Sequence, residues 1–140
     1  MSELLVTELN YLAILVAGVS NMVLGFLWYG PIFGKPWMAL IGKTEEDLNP
    51  NPIVYLVSFL LSLLMAVVLS IFIHHVDASI QAMSLVLGLL VALLAWVGFV
   101  GPATFQNNLY SGISKKLFAI DYGYVLIALL IQGAIIGVWR

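Results

Sequence analysis

The chain of 140 residues has no cysteine and very few charged side chains. Without cysteine there is no disulfide framework, no thiol nucleophile and no thiolate metal site. Charged residues make up 9% of the sequence, whereas soluble domains average about 25%. Five basic residues are too few to build a surface that neutralises nucleic-acid phosphates. These absences exclude a disulfide-stapled protein and a nucleic-acid-binding protein. Together with an apolar fraction of 63%, they also exclude a soluble monomer.

What the chain does contain is four long stretches without any charge. A bilayer core of about 30 Å is crossed by about 20 apolar residues in a helix, and each stretch is long enough. Inside lipid an open-ended chain satisfies its backbone hydrogen bonds only as helix. The sequence therefore predicts an all-α membrane protein with a single transmembrane domain, 1–140. Its four helices form a compact bundle over residues 11–29, 53–73, 83–100 and 122–139.

The first predicted loop begins with an aromatic motif, WYGPIFGKPW, at 28–37. Gly30 and Pro31 predict the end of the first helix. A short interfacial helix is predicted over 36–41, and Thr44 is predicted to cap one further helical turn. The rings near the predicted helix ends are interpreted as interfacial anchors, and a ligand cage is the alternative. These rings are Trp28, Tyr29, Trp37 and Trp139.

The basic residues predict the orientation in the membrane. Both long loops, 30–52 and 101–121, carry lysines, which the positive-inside rule places in the cytoplasm. Because the chain starts Met-Ser-Glu, with no basic residue before its first apolar run, we expect no cleavable signal. The expected location is the inner (plasma) membrane, with both termini outside. The lysines are Lys35, Lys43, Lys115 and Lys116.

Small residues at helical spacing predict the packing faces, because they let helix backbones approach closely in lipid. The last helix also carries a GxxxG motif, which serves contacts within a chain as well as between chains. We expect a homo-oligomer in the bilayer. The predicted packing residues are Ala17, Gly25, Ser58, Ser62, Ala66, Ser70, Gly133 and Gly137.

Uncharged amides are the polar groups nearest the predicted membrane interior. Asn21 and Gln132 lie near the middle of predicted spans, and Gln106, Asn107 and Asn108 follow the third. Buried amides need hydrogen-bond partners. Two interpretations remain open at this point: the amides are structural clamps and helix caps, or they line the path of a small-molecule substrate.

The sequence offers few residues for proton transfer, catalysis or metal binding. No Asp, Glu, Lys or Arg falls inside a predicted span, which argues against proton antiport and voltage sensing. Ser70 with His74 is the one nucleophile–base pairing within a helical turn, and it lacks an orienting acid, so we expect no enzyme. His74 and Asp77 are the sole metal candidates, in what is predicted as a tight turn over 74–82. No cofactor motif is present, and we expect no cofactor.

Several segments in combination resemble a family of small bacterial four-helix membrane proteins catalogued as a domain of unknown function. They are LGFLWYGPIFGKPWM at 24–38, WVGF at 96–99, NLY at 108–110, IDYGY at 120–124 and GAIIGVWR at 133–140. The resemblance covers Asn10 to Arg140 and implies an architecture but no activity. Members often carry an acidic residue and an arginine after the third helix. Here the stretch reads SGISKK, so that acid's role does not transfer.

Two functions compete on this reading. The first is an oligomeric carrier or channel for a small solute, with the amides along its path. The alternative is a non-catalytic scaffold or accessory subunit that docks beside a larger membrane complex through its aromatic first loop. Gly30-Pro31 and Gly101-Pro102 also hint at a parallel duplication of the two halves.

Overall fold

The computed structural model describes residues 9–80 and 84–139, and every regular element in these ranges is helical. Four helical segments are long and apolar enough to span a membrane, which confirms the predicted fold class. Two of them contain a π-helical turn. In chain order the elements are α1 (Tyr11–Leu27), a first π turn (Trp28–Ile32), α2 (Gly34–Ile41), a 3₁₀ turn (Glu45–Asp47), α3 (Pro52–Ile80), α4 (Ser84–Ala95), a second π turn (Trp96–Val100), α5 (Gly101–Ser111) and α6 (Lys115–Val138).

The first loop folds much as its motif predicts. The predicted short helix is present as α2, and it ends at Gly42, whose φ of 71° is the left-handed conformation that favours glycine. The carboxylate of Asp47 accepts from the backbone N–H of Thr44 at 3.0 Å and from its hydroxyl at 2.9 Å. These bonds, with a smaller contribution from nearby Lys43, lower the pKa of Asp47 from its ordinary value.

The predicted end of the second helix at residue 73 is wrong. α3 continues to Ile80, so His74 and Asp77 lie on a helix and not in a tight turn. Neither glycine nor proline interrupts residues 53–80, and polar side chains do not by themselves end a helix. The predicted start of the next helix, Met83, lies outside the described residues.

The predicted polar loop at 101–121 is also wrong, because most of it is helical. The second π turn leads directly into α5, and the chain turns only at residues 112–114, where Gly112 has a φ of 68°. Pro31 and Pro102 do not end these helical segments. Pro31 lies inside the first π turn and Pro102 at the start of α5, where a residue without a backbone N–H removes few helical hydrogen bonds.

This change of boundaries moves an acidic residue into a helix. α6 begins at Lys115, seven positions before the predicted start, with Ser114 as its cap. The expectation that every span is free of ionisable residues is therefore wrong: Asp121 lies in α6, and Asp77 ends the candidate span of α3.

α6 contacts each of the other three spans, and its contacts with them are more extensive than those of any other span. Its most extensive partner is α4, and glycines make that approach possible. A Cβ on Gly88 would overlap the carbonyl oxygen of Gly133 and lie 3.1 Å from the Cα of Gly137. The GxxxG pair of α6 therefore packs against α4 of the same chain.

Most of the other predicted packing residues also face neighbouring helices. Ala17, Ser62, Ala66 and Ser70 are buried, and Gly25 lies against the Tyr124 ring. Ser58 is the exception, because it is exposed. The stripe on α3 therefore contacts the bundle only from Ser62 onward.

The close approach of α4 and α6 makes a matched pair of glycine substitutions informative. We expect Gly88→Ala to lower the free energy of unfolding by about 1–3 kcal/mol, because the methyl group meets backbone that cannot move aside. Unfolding of the detergent-solubilised protein in SDS, followed by circular dichroism, measures this.

Gly98→Ala is the control, because nothing lies within 4 Å of a Cβ at Gly98. It is expected to leave stability unchanged or raise it by up to about 1 kcal/mol, since alanine favours helix over glycine. Equal stability of the two variants would contradict the described packing of α4 on α6.

Candidate functional site

Three polar clusters lie inside or beside the bundle, and the first is a closed junction of α1, α3 and α6. Gln132 on α6 is fully buried. Its Nε2 donates at 3.3 Å to the carbonyls of Ala17 and Ser62 and to the Ser62 hydroxyl. Ser62 Oγ in turn donates to the Gly18 carbonyl at 2.9 Å. The oxygen of the Gln132 amide has no partner among the described residues. This geometry is that of an interhelical clamp.

The second cluster joins α1 to α6 further along. The Tyr124 hydroxyl donates to Oδ1 of Asn21 and also lies 3.0 Å from the Asn21 carbonyl oxygen. Asn21 is 7% exposed. The two mid-membrane amides therefore take different partners: Gln132 pairs with Ser62, and Asn21 pairs with a tyrosine.

The third cluster is built around Asp121 near the start of α6. One oxygen of its carboxylate, Oδ1, accepts from the Tyr29 hydroxyl at 3.0 Å and from the Trp37 indole N–H at 3.1 Å. Tyr29 comes from the first π turn and Trp37 from α2. A carboxylate that accepts two such bonds is well held even away from water. It fixes the first loop onto the bundle.

The aromatic rings that were interpreted as interfacial anchors thus have a second role. The polar tips of Tyr29 and Trp37 turn inward to Asp121, and the Trp28 indole donates to the Ile120 carbonyl at 2.9 Å. Trp139 stays 40% exposed, and its carbonyl accepts from the Asn10 side chain at 3.1 Å. Anchoring alone does not describe the first three rings, because buried donors require partners within the chain.

The two π turns make the same kind of contact with α6, which is relevant to the parallel duplication suggested by the sequence. Each begins at a tryptophan whose indole N–H donates to a backbone carbonyl of α6. Trp28 reaches Ile120 at 2.9 Å, and Trp96 reaches Tyr122 at 3.0 Å. π turns are frequent at functional sites. Here they aim two tryptophans at neighbouring positions on one helix.

Tyr29, Trp37 and Tyr124 form, with Asp121, what we call the aromatic–carboxylate cluster. The Tyr29 ring lies between the other two, with centroids 4.8 Å from Trp37 and 5.3 Å from Tyr124, and both pairs are edge-to-face. This arrangement favours rigid ring positions.

A cleft of about 930 Å³ opens directly against this cluster. It lies between α1, the first loop and the start of α3, at the end of the bundle we call the loop end, where α6 begins. All three rings of the cluster line it. Its other walls are mainly apolar, with polar groups towards the first loop. They include Gly25, Phe26, Tyr55, Ser58, Lys43, Asp47 and Asn49.

The remaining predicted path residues lie elsewhere. Asn108 is buried and donates from Nδ2 to the Ile113 carbonyl at 3.1 Å, so it fastens the turn after α5. Gln106 and Asn107 are exposed on α5. Gln132 is sealed in its junction. The structure thus does not bring the five predicted amides together, and of these Asn21 alone adjoins the cleft, through Tyr124.

The two metal candidates, His74 and Asp77, both lie on α3. His74 is exposed on α3, and Nδ1 of its neighbour His75 lies 2.8 Å from the Ile71 carbonyl. Within residues 9–80 and 84–139, no three His, Cys, Asp or Glu side chains are grouped to hold a metal ion.

Two residues of the aromatic–carboxylate cluster, Asp121 and Tyr124, were not predicted as site residues from the sequence. The predicted fourth span begins at residue 122, so the prediction left Asp121 in the preceding loop. A signal for both was present: they are three positions apart, which places them on one face of a helix.

Comparison with known protein families identifies the family to which the chain belongs. The model of a family described as proteins of unknown function, DUF1761, matches residues 12–137, so the chain belongs to this family. The resemblance inferred from the sequence is confirmed. No curated protein and no solved structure matches the chain.

The two donors to Asp121 can be removed one at a time. We expect Tyr29→Phe and Trp37→Phe each to lower the free energy of unfolding by about 1–2 kcal/mol, because each deletes a hydrogen bond to a charged group. The double variant is expected to lose more than the sum, since the carboxylate then keeps neither donor. Unfolding in SDS measures all three.

Tyr55→Phe is the matched control, because this tyrosine lies at the same end of the bundle and is 55% exposed. Its loss of a hydroxyl is expected to change stability by less than about 0.5 kcal/mol. If the Asp121 donors proved no more costly to remove than this hydroxyl, the cluster would not be what holds the first loop.

Proposed function

We propose that this DUF1761 protein is a carrier for a small solute, working as a homo-oligomer in the plasma membrane, with the cleft as its binding site. The observation that supports this most is the cleft itself. Its volume of about 930 Å³ falls in the range of small-molecule sites, about 300–1,000 Å³. It reaches Tyr124, which is bonded to Asn21, a residue that the sequence suggests for the solute path.

The closed junction at Gln132 is the reason for proposing an oligomer. Gln132 has no exposed surface, and Ala17 and Ala66 nearby have none. A solute that enters the cleft is therefore stopped at this junction within one bundle. In this proposal it continues along the outer surface of α1 and α3, where a second copy of the chain closes the path.

The proposed orientation puts the cleft at the cytoplasmic face. Lys35 and Lys43 belong to the first loop, and Lys115 and Lys116 begin α6 at the same end of the bundle. Basic residues remain on the cytoplasmic side of a plasma membrane. Both termini then lie outside.

The proposal includes no catalysis. The one candidate pair, Ser70 and His74, is divided between the interior and the surface: Ser70 is 6% exposed, whereas His74 is exposed. A nucleophile needs its base within hydrogen-bond reach.

An accessory subunit is the competing function. It is favoured by the aromatic side chains that extend from the third span, since Phe99 is 75% and Tyr110 is 87% exposed. Such rings suit contact with lipid and with a larger membrane protein alike. The cleft has no role in this alternative, so blocking the cleft separates the two.

Solute uptake into vesicles tests the proposal. Purified protein in liposomes is given a mixture of small cationic, anionic and neutral solutes, and the contents of washed vesicles are read by mass spectrometry. We expect at least one solute to enter faster than into protein-free vesicles. Ser58→Trp is expected to reduce that uptake by about fivefold or more, because Ser58 lines the cleft and an indole at this position takes up space that the solute needs.

Ser58→Ala and Gln132→Leu are the controls. The Ser58 hydroxyl donates to the Val54 carbonyl of its own helix at 2.8 Å, and Gln132 is not among the residues that line the cleft. Both variants are expected to transport like the wild type. The mass of the protein in each lipid nanodisc, without lipid and scaffold, is expected to be at least twice the 15.3 kDa of one chain. Uptake that is no faster than in protein-free vesicles, or a strictly monomeric particle, contradicts the proposal.

A further inference from the structure

The geometry of the cleft points to its ligand class: a small organic monocation, such as an alkylammonium or quaternary ammonium ion. This inference deepens the proposed function and shares with it the cleft as the binding site. It concerns binding alone and does not require that the ligand cross the membrane.

The first observation is the carboxylate behind the aromatic wall. Asp121 accepts from Tyr29 at 3.0 Å and from Trp37 at 3.1 Å, and both of these residues line the cleft. Its recorded partners in the described part of the chain are thus two neutral donors and no cation. Asp121 is half-buried, so water screens its negative charge less than that of an exposed carboxylate, and its attraction for a cation is correspondingly stronger.

The second observation is the lining of the cleft. Tyr29, Trp37 and Tyr124 form one wall, and Phe26 and Tyr55 also line it. The faces of such rings attract cations that lie within about 6 Å of the ring centroid. Aromatic walls with a nearby carboxylate suit a cation that carries apolar groups, since the same rings then also cover its alkyl surface.

The charges at the cleft agree with a positive charge on the ligand. Lys43 and Asp47 are the charged residues that line the cleft, and they oppose each other in sign. The Asp121 carboxylate behind Tyr29 and Trp37 adds one negative charge, which repels an anion and attracts a cation.

An inorganic cation fits this lining poorly. Hard metal ions require several oxygen ligands around one point. The described residues hold no cluster of three metal-ligating side chains. The lining of the cleft is mainly apolar and aromatic, which favours an organic ion over a hydrated metal ion.

Calorimetry on the full chain in lipid nanodiscs tests the inference. The probes are choline, its uncharged carbon isostere 3,3-dimethylbutan-1-ol, and benzyltrimethylammonium as a larger cation, all at matched ionic strength. We expect at least one cation to bind about tenfold more tightly than the isostere, because aromatic rings line the cleft and the Asp121 charge lies directly behind two of them. If neither cation binds more tightly than the isostere, the inference is overturned.

Asp121→Asn removes the charge and keeps an acceptor oxygen for Tyr29 and Trp37. It is expected to weaken cation binding by about tenfold while leaving the isostere unaffected. Glu46→Gln is the matched control, because it removes an exposed charge beside the cleft. Its effect is expected to stay within about twofold. Equal effects of the two substitutions would overturn the role of Asp121.

A second pair of variants keeps the test decisive if Asp121→Asn does not fold. Trp37→Phe retains an aromatic face, and Trp37→Leu retains only apolar bulk. The leucine variant is expected to bind the cations about fivefold more weakly than the phenylalanine variant, because it has no ring quadrupole. Equal cation affinities of the two would contradict an aromatic site.

The outcomes separate this inference from the proposed function. Cation binding without uptake into vesicles supports the ligand class and removes the carrier. Uptake of a neutral solute, blocked by Ser58→Trp, together with no cation binding supports the carrier and removes the ligand class.

Discussion

Hydrogen bonds from aromatic side chains to α6 hold the first loop and the third span to the rest of the bundle. Trp28 and Trp96 reach backbone carbonyls of α6, and Tyr29 and Trp37 reach the Asp121 carboxylate. Where a side chain is shielded from water, nothing else takes the place of a missing partner, so a buried donor has to find an acceptor within the chain. This constraint explains why so many rings turn inward although the sequence places them where interfacial anchors are usual.

The same constraint acts together with the close packing of glycines. On one side of α6, Gly133 faces Gly88 with almost no space between the backbones. On another side, Gln132 bridges Ala17 and Ser62. Such packing leaves Ala17 and Gln132 without exposed surface and Ser62 only 2% exposed. The cleft lies at the loop end, between α1, the first loop and the start of α3.

The number of spans and the short helix of the first loop were predictable, because they depend on local patterns: the uncharged stretches and the glycine that ends α2. The ends of α3 and α6 were not. Charged and polar residues mark where lipid stops but not where a helix stops, so α3 runs on past His74 and α6 starts before Asp121. The cleft was beyond prediction, since Trp37 and Asp121 are 84 positions apart and only the folded bundle brings them together.

The central claim is that water reaches the cleft but not the junction below it. The chain has no cysteine, so single cysteines can be placed along α3 at Val54, Ser58, Ser62 and Ala66 and treated with a membrane-impermeant maleimide in proteoliposomes. We predict that positions 54 and 58, which line the cleft, react from one side of the membrane only, and that positions 62 and 66 do not react. Reaction at 62 and 66 at the rate seen at 58 would show a water-filled path through the bundle and contradict the account.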